Sequence, residues 1–102
     1  MTRSERLQIF GPVVSIITYT DEDDAAAKAN DSVYGLNGAV YSRDPERGYA
    51  FARRMRTRGV TVNGLIIDPK HPFGGFKESG QGREGGPEGL ENYLEVKTIH
   101  MA

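Results

Sequence analysis

The sequence contains no cysteine and no tryptophan. Without cysteine the chain can form no disulfide, no thiolate metal site and no thiol nucleophile of its own. It has only two histidines, His71 and His100, far apart and without metal-ligand spacing, so no metal site is expected. Charge of either sign is not in excess: 13 Lys and Arg oppose 14 Asp and Glu, for a net charge of −1. No field therefore favours nucleic acid or an anionic membrane. No run approaches the roughly 18 apolar residues of a membrane span. The opening MTRSERLQIFGPVV lacks the apolar core and cleavage site of a secretory signal, so a cytoplasmic location is expected. A length of 102 residues suits one small domain, and no repeat, low-complexity tract or boundary divides it.

Glycine, by contrast, is abundant and concentrated. The stretch from Pro72 to Gly86 reads PFGGFKESGQGREGG, with glycine at 74, 75, 80, 82, 85 and 86. Each glycine in a helix or strand interior costs roughly 0.5–1 kcal/mol relative to alanine, so this density predicts an irregular, shaped loop. Phe73, Phe76, Lys77, Glu78, Arg83 and Glu84 stand among the glycines, unlike a plain Gly/Ser linker. A phosphate-cradling loop would need the spacing GxxxxGK[ST] and a helix directly after it, and that spacing is not met. A structural loop with buried phenylalanines is the simpler physical alternative.

The rest of the chain reads as alternating strands and helices. Gly11-Pro12 marks a bend after Gln8-Ile9-Phe10. Val13–Tyr19, VVSIITY, is β-branched and aromatic, which suits a strand buried on both faces. Thr20 to Asp23 resembles a capping box opening a helix to about Asn30, and its acids suit the positive end of the helix dipole. A glycine-marked turn spans 33–37, and a short strand spans 38–42. Ser42 or Asp44 with Pro45 then starts a second helix, expected to reach about Thr57. Arg53, Arg54, Arg56 and Arg58 crowd its end as a dipole-compensating, solvated group, and Gly59 is expected to close it as a left-handed cap. Val60–Asn63 reads as a strand, Leu65–Pro69 as an apolar loop, and Pro87–Tyr93 as one or two helical turns. Leu94–His100 alternates apolar and polar residues, the pattern of a strand with one buried face at a sheet edge. The fold class is α/β: a short parallel β-α-β-α-β unit, a glycine-rich loop and a C-terminal edge strand.

The glycine loop is very similar to the C-terminal signature of the NAD(P)-dependent aldehyde dehydrogenase superfamily. The similarity extends over Gln8 to Met101: IFGPV at 9–13, AN at 29–30, YGL at 34–36, VN at 62–63 and YLEVKTI at 93–99 fall in that family's order. The family is several times longer, and this chain resembles its C-terminal portion only. The resemblance implies a single segment of 1–102, with residues 8–93 in the catalytic domain and 94–100 an oligomerisation strand. Phe73 matches a wall of the aldehyde tunnel, and Glu84 matches an acid in a proton-relay route. Phe10 matches a residue packing near the nicotinamide ribose. Gln8 stands where the family usually has glutamate, which loses a charge-assisted hydrogen bond to the ribose. Ile66, Ile67, Asp68, Lys70 and His71 occupy the variable substrate loop, with Ile67 and Asp68 assigned to the tunnel. Lys77 and Glu78 read as a solvated or loop-bracing pair.

The family's reaction oxidises an aldehyde to a carboxylic acid through a cysteine nucleophile, with NAD or NADP taking the hydride. The nucleophile, the base and the dinucleotide fingerprint lie upstream in the family. The chain alone is therefore expected to be inactive and to bind NAD or NADP weakly or not at all. Expected partners are an aldehyde substrate in a complete enzyme and further subunits, homo- or hetero-oligomeric, joined through the terminal strand. Two other classes remain open. One is a non-catalytic interaction protein that pairs with an intact family member, and the other is a free-standing α/β nucleotide-binding module.

Overall fold

The structure, a computed structural model, describes residues 11–102. Its elements run α1 (Glu22–Asn30), β1 (Tyr34–Gly35), β2 (Asn37–Val40), α2 (Pro45–Ala52), β3 (Gly59–Val62), β4 (Phe73–Gly74), β5 (Phe76–Lys77), β6 (Arg83–Glu84) and α3 (Gly86–Glu91). Gln8, Ile9 and Phe10 lie outside the described residues.

Capping chemistry fixes both longer helices. Asp21, one residue after the expected Thr20, is the N-cap of α1, and its carboxylate accepts from the Asp24 amide at 2.9 Å. Asp24 reaches back to accept from the Thr20 amide at 2.9 Å, so the reciprocal bonding of a capping box is present, shifted by one residue. Lys28 donates to Asp24 at 2.7 Å and to the Thr18 carbonyl at 2.9 Å, fastening the helix to the segment before it. Asp44 caps α2 by accepting from the Glu46 and Arg47 amides, with Pro45 in the first turn.

The β2-α2-β3 unit is the parallel kernel of the α/β fold. Its strands pair in the register Asn37↔Gly59 to Val40↔Val62. Gly48 is buried where α2 lies on β3, and a Cβ there would come within 2.8 Å of a Val62 methyl. Asn63 ends β3 at φ 58°, a left-handed conformation that asparagine tolerates. Its side-chain amide donates to the Ser42 carbonyl at 2.9 Å and accepts from the Ser42 amide at 2.8 Å, continuing the pairing through a side chain.

Five expectations are corrected. Helix α2 stops at Ala52, because the Asn30 side chain captures the chain beyond it. Asn30 donates to the Arg54 carbonyl at 2.9 Å and accepts from the Arg56 amide at 2.7 Å, which draws this stretch off the helical path. Gly59 is the first residue of β3 and not a left-handed cap. A Cβ on it would meet the Asn37 side-chain oxygen at 2.8 Å across the pair. Val13–Tyr19 forms no strand, and Leu94–His100 forms none either. No strand pairs with them among the described residues, and a strand's backbone groups need a partner. The sequence turn at 33–37 is in part paired: β1 is antiparallel to β5, with Tyr34↔Lys77 and Gly35↔Phe76.

The described residues build little core. Ala26 is their only buried hydrophobic side chain, while Ile16 is 90% and Val96 96% exposed. A cleft of about 750 Å³ separates Ser15–Tyr19 from β2, walled by Ile17, Ala25, Ala29, Phe51 and Met55. The radius of gyration is 17.6 Å, against about 13 Å for a compact domain of about 100 residues.

Candidate functional site

The glycine stretch is a shaped loop, as the sequence predicts, but it also carries three short paired segments that the glycine density did not predict. β4 and β6 run antiparallel, with Phe73↔Glu84 and Gly74↔Arg83 in register. The intervening β5 reaches out to pair with β1. The loop thus closes on itself through β4 and β6, while its tip is tied to the α/β kernel.

Two side chains and one backbone amide of the loop make that tie. Lys77, at φ 54°, donates from Nζ to the carbonyls of Asn30 at 3.0 Å and Ser32 at 2.8 Å, at the C-terminal end of α1. A cation there meets carbonyls that the helix leaves unpaired. Ser79 accepts from the Gly35 amide at 3.0 Å, and the Glu78 amide donates to the Val33 carbonyl at 3.0 Å. The bracing role expected of Lys77 is therefore filled by helix-end carbonyls and not by Glu78.

Inside the loop, carbonyl oxygens converge on a cation. Arg83 Nη1 donates to the carbonyls of Gly75 at 3.1 Å, Gln81 at 2.8 Å and Gly82 at 2.7 Å. A phosphate cradle requires amide N–H groups aimed at a common point. This loop presents acceptors, and they are already taken by a guanidinium, so its interior does not suit a phosphate.

The substrate-loop residues lie against the far side of the same unit. Asp68 accepts from the Lys70 amide at 2.9 Å, its carbonyl accepts from the His71 amide at 3.0 Å, and its carboxylate lies 3.4 Å from His71 Nδ1. Asp68 therefore shapes a turn. The Gly86 amide donates to the Pro69 carbonyl at 3.1 Å, which locks this turn to the start of α3. Gly85, at φ 69°, has no room for a side chain, since a Cβ would lie 2.7 Å from the Pro69 oxygen. Ile67 stands just before the turn, 76% exposed. Asn92 secures α3 to the loop by donating to the Arg83 carbonyl at 2.7 Å.

Phe73 and Glu84 are brought together, on opposed positions of one strand pair. Phe73 is 47% exposed, and the Glu84 carboxylate has no hydrogen-bond or ion-pair partner among the described residues. Ile67 and Asp68 reach the same unit through the turn against Gly85–Gly86. Gln8 and Phe10, assigned by resemblance to the cofactor, lie outside the described residues. Asn30, Arg83 and Asn92 are organising residues that sequence reasoning missed. Their roles are contacts to distant backbone, which neither periodicity nor local motifs reveal. His71 and His100 do not meet, and among the described residues no three His, Asp or Glu side chains are grouped for a metal ion. Among them, too, no helix is long and apolar enough to cross a membrane.

A sequence model of the aldehyde dehydrogenase family matches residues 3–99. The chain belongs to the aldehyde dehydrogenase family. It is 49% identical over 100 residues to geranial dehydrogenase of Castellaniella defragrans, covering 98% of this chain and 21% of that protein. A Mycobacterium tuberculosis aldehyde dehydrogenase complexed with NAD+ superposes at a TM-score of 0.85 with 48% identity, covering 89% of this chain and 19% of that one. Aldehyde dehydrogenase C of Pseudomonas syringae, a mutant complexed with NAD+ and octanal, gives a TM-score of 0.89 and 47% identity over 95% of this chain and 20% of that one. The chain thus spans about a fifth of the length of these family members. The α/β class expected from sequence is the class of the family's structures, of which these residues form a part.

Proposed function

We propose that this segment forms the C-terminal part of an NAD(P)-dependent aldehyde dehydrogenase and supplies one wall of its aldehyde site. Residues 8–93 belong to the catalytic domain, and 94–100 to an oligomer contact. Phe73 and Ile67 line the path of the aldehyde, Asp68 shapes the turn that presents Ile67, and Glu84 serves as a supporting acid in proton transfer. Gln8 and Phe10 face the nicotinamide ribose. The dinucleotide, when bound, accepts the hydride as the aldehyde becomes a carboxylic acid. The nucleophilic cysteine comes from outside these 102 residues, which contain none. A cytoplasmic location accords with this reading.

The supporting observation is the register of β4 and β6. It sets an exposed aromatic ring opposite an unpartnered carboxylate on a strand pair braced from three sides. An apolar wall with a titratable group beside it suits an aldehyde path with a proton exit. The test is a chimera in which this chain replaces the corresponding part of the Pseudomonas syringae aldehyde dehydrogenase C. NAD+-dependent oxidation of octanal by the chimera supports the reading. A folded chimera that binds NAD+ and octanal but turns over no aldehyde overturns it.

A second reading has its own support. Residues 94–100 are exposed and lie outside any strand pair, with Val96 96% accessible. Such a segment can add to the sheet edge of another protein, so the chain could act as a non-catalytic partner of an intact family member. Co-purification of the tagged chain with a purified full-length aldehyde dehydrogenase tests this, and loss of capture on deleting 94–100 would support it.

A further inference from the structure

We propose that Arg83 is a positioning residue for the Phe73–Glu84 pair, its guanidinium acting as the internal fastener of the glycine loop. Three observations converge on it. Nη1 is shared among the carbonyls of Gly75, Gln81 and Gly82, at 3.1, 2.8 and 2.7 Å, so a single nitrogen joins the two ends of the loop. The side chain passes directly over the neighbouring strand: a Cβ on Gly74 would lie 2.9 Å from Nη1 and 3.1 Å from Cδ. The guanidinium carbon also lies 6.0 Å from the centre of the Phe76 ring, against the loop's tip.

These contacts matter because the paired segments are so short. β4 and β6 contribute two residues each, Phe73–Gly74 and Arg83–Glu84. A ladder of that length is marginal by itself. The glycines around it add conformational freedom that opposes order. The loop carbonyls 75, 81 and 82 would otherwise repel one another or turn to water. A guanidinium satisfies all three and remains charged at any working pH. Lysine could supply the charge but not the planar group lying across Gly74. No carboxylate pairs with Arg83 among the described residues, so its charge is committed to the loop's own backbone. The hydrogen bonds of the Arg83 side chain go to backbone carbonyls of the loop and not to the side chains of Phe73 or Glu84. It acts through the backbone register that sets Phe73 opposite Glu84.

The test compares the parent chain with Arg83→Ala and Arg83→Lys by amide hydrogen exchange, with and without ethylguanidinium as the probe. In Arg83→Ala the amides of 73–75 and 83–84 should exchange about tenfold faster while those of α1, α2 and β3 hold their rates. Added ethylguanidinium should restore them, and Arg83→Lys should fall in between. Unchanged exchange at 73–75 and 83–84 in Arg83→Ala overturns the proposal. Should Arg83→Ala fail to fold, Arg83→Lys decides: parent-like exchange at these amides refutes a specific role for the guanidinium. A kinetic arm rests on the functional reading above. In the chimera, Arg83→Lys should raise KM for octanal severalfold and leave KM for NAD+ unchanged. If exchange responds as expected but the octanal KM does not move, the tunnel assignment of Phe73 fails and the positioning role stands. If exchange does not respond, the positioning role falls whatever the kinetics.

Discussion

Phe73 stands directly opposite Glu84 across the β4–β6 pair, so their side chains project from the same face of a two-residue ladder. Eleven positions separate them in sequence, and a single register brings an aromatic ring and a carboxylate together. In a complete enzyme, Phe73→Ala should alter the preference between long and short aldehydes while leaving the affinity for NAD+ unchanged. Glu84→Gln should slow turnover, on the order of 10²-fold if the acid takes part in proton transfer, with little change in aldehyde binding. Steady-state and burst kinetics separate the two. Equal losses for every substrate and step from both variants would reduce the pair to a structural contact.

The chain by itself should oxidise no aldehyde. It holds no cysteine, and the family's reaction begins with attack of a thiolate on the carbonyl. The check is NAD(P)H absorbance with purified chain, cofactor and a panel of aldehydes. Production above a buffer control would show that another group in these residues can act as nucleophile.

Alone in solution the chain should self-associate. Val14, Ile16, Leu65, Ile66, Ile67, Val96 and Ile99 are all more than two-thirds exposed, and the cleft beside Ile17 is walled by apolar groups. At about 25 cal/mol per Å², a few hundred Å² of such surface corresponds to several kcal/mol. That is comparable with the whole stability of a small domain, about 5–15 kcal/mol. Light scattering over a dilution series should show mass rising with concentration. A monomer at every concentration, unfolding cooperatively, would show that the segment is a self-sufficient domain.

Acid should loosen the start of α1 before the rest. The ammonium of Lys28, and then the Thr20 amide, hold the Asp24 carboxyl below its ordinary value of 3.8. A carboxylate with a lowered folded-state pKa contributes stability that is present above the unfolded value. That contribution is lost as pH falls through the folded value. Amide exchange at residues 22–26 should therefore quicken as pH drops below about 4, once intrinsic rates are allowed for. Asp24→Asn should remove that acid-dependent step. An unchanged acid response in Asp24→Asn would place its origin elsewhere.

Gly48→Ala should destabilise the β2-α2-β3 unit, although alanine is the better helix former by about 1 kcal/mol. The added methyl would come within 2.8 Å of a Val62 methyl and 3.4 Å of the Ser42 Cβ. Thermal unfolding of the chimera with and without the substitution gives the sign. A rise in Tm would mean that Val62 rotates away at little cost.

What was legible in the sequence was local. The Asp and Pro residues that start α1 and α2 announce themselves because capping is an interaction between residues two or three apart. The β3 stretch was visible from its β-branched residues, and the glycine density of 72–86 marked a sharply turning loop, though not the two-residue strands β4, β5 and β6 that pair within it. The order and spacing of PFGGFKESGQGRE also carried the family, which the whole-chain match supports.

Tertiary structure decided what depends on distant partners. Val13–Tyr19 and Leu94–His100 have strand composition yet form no strand, because a strand exists only when a neighbour takes up its amides and carbonyls. The length of α2 was set by Asn30, 24 residues before the Arg54 carbonyl that it captures. The opposition of Phe73 and Glu84, and the convergence of three loop carbonyls on Arg83, follow from chain closure. Composition can reveal that a loop is free to bend. Where it closes is set by contacts between residues the sequence holds apart.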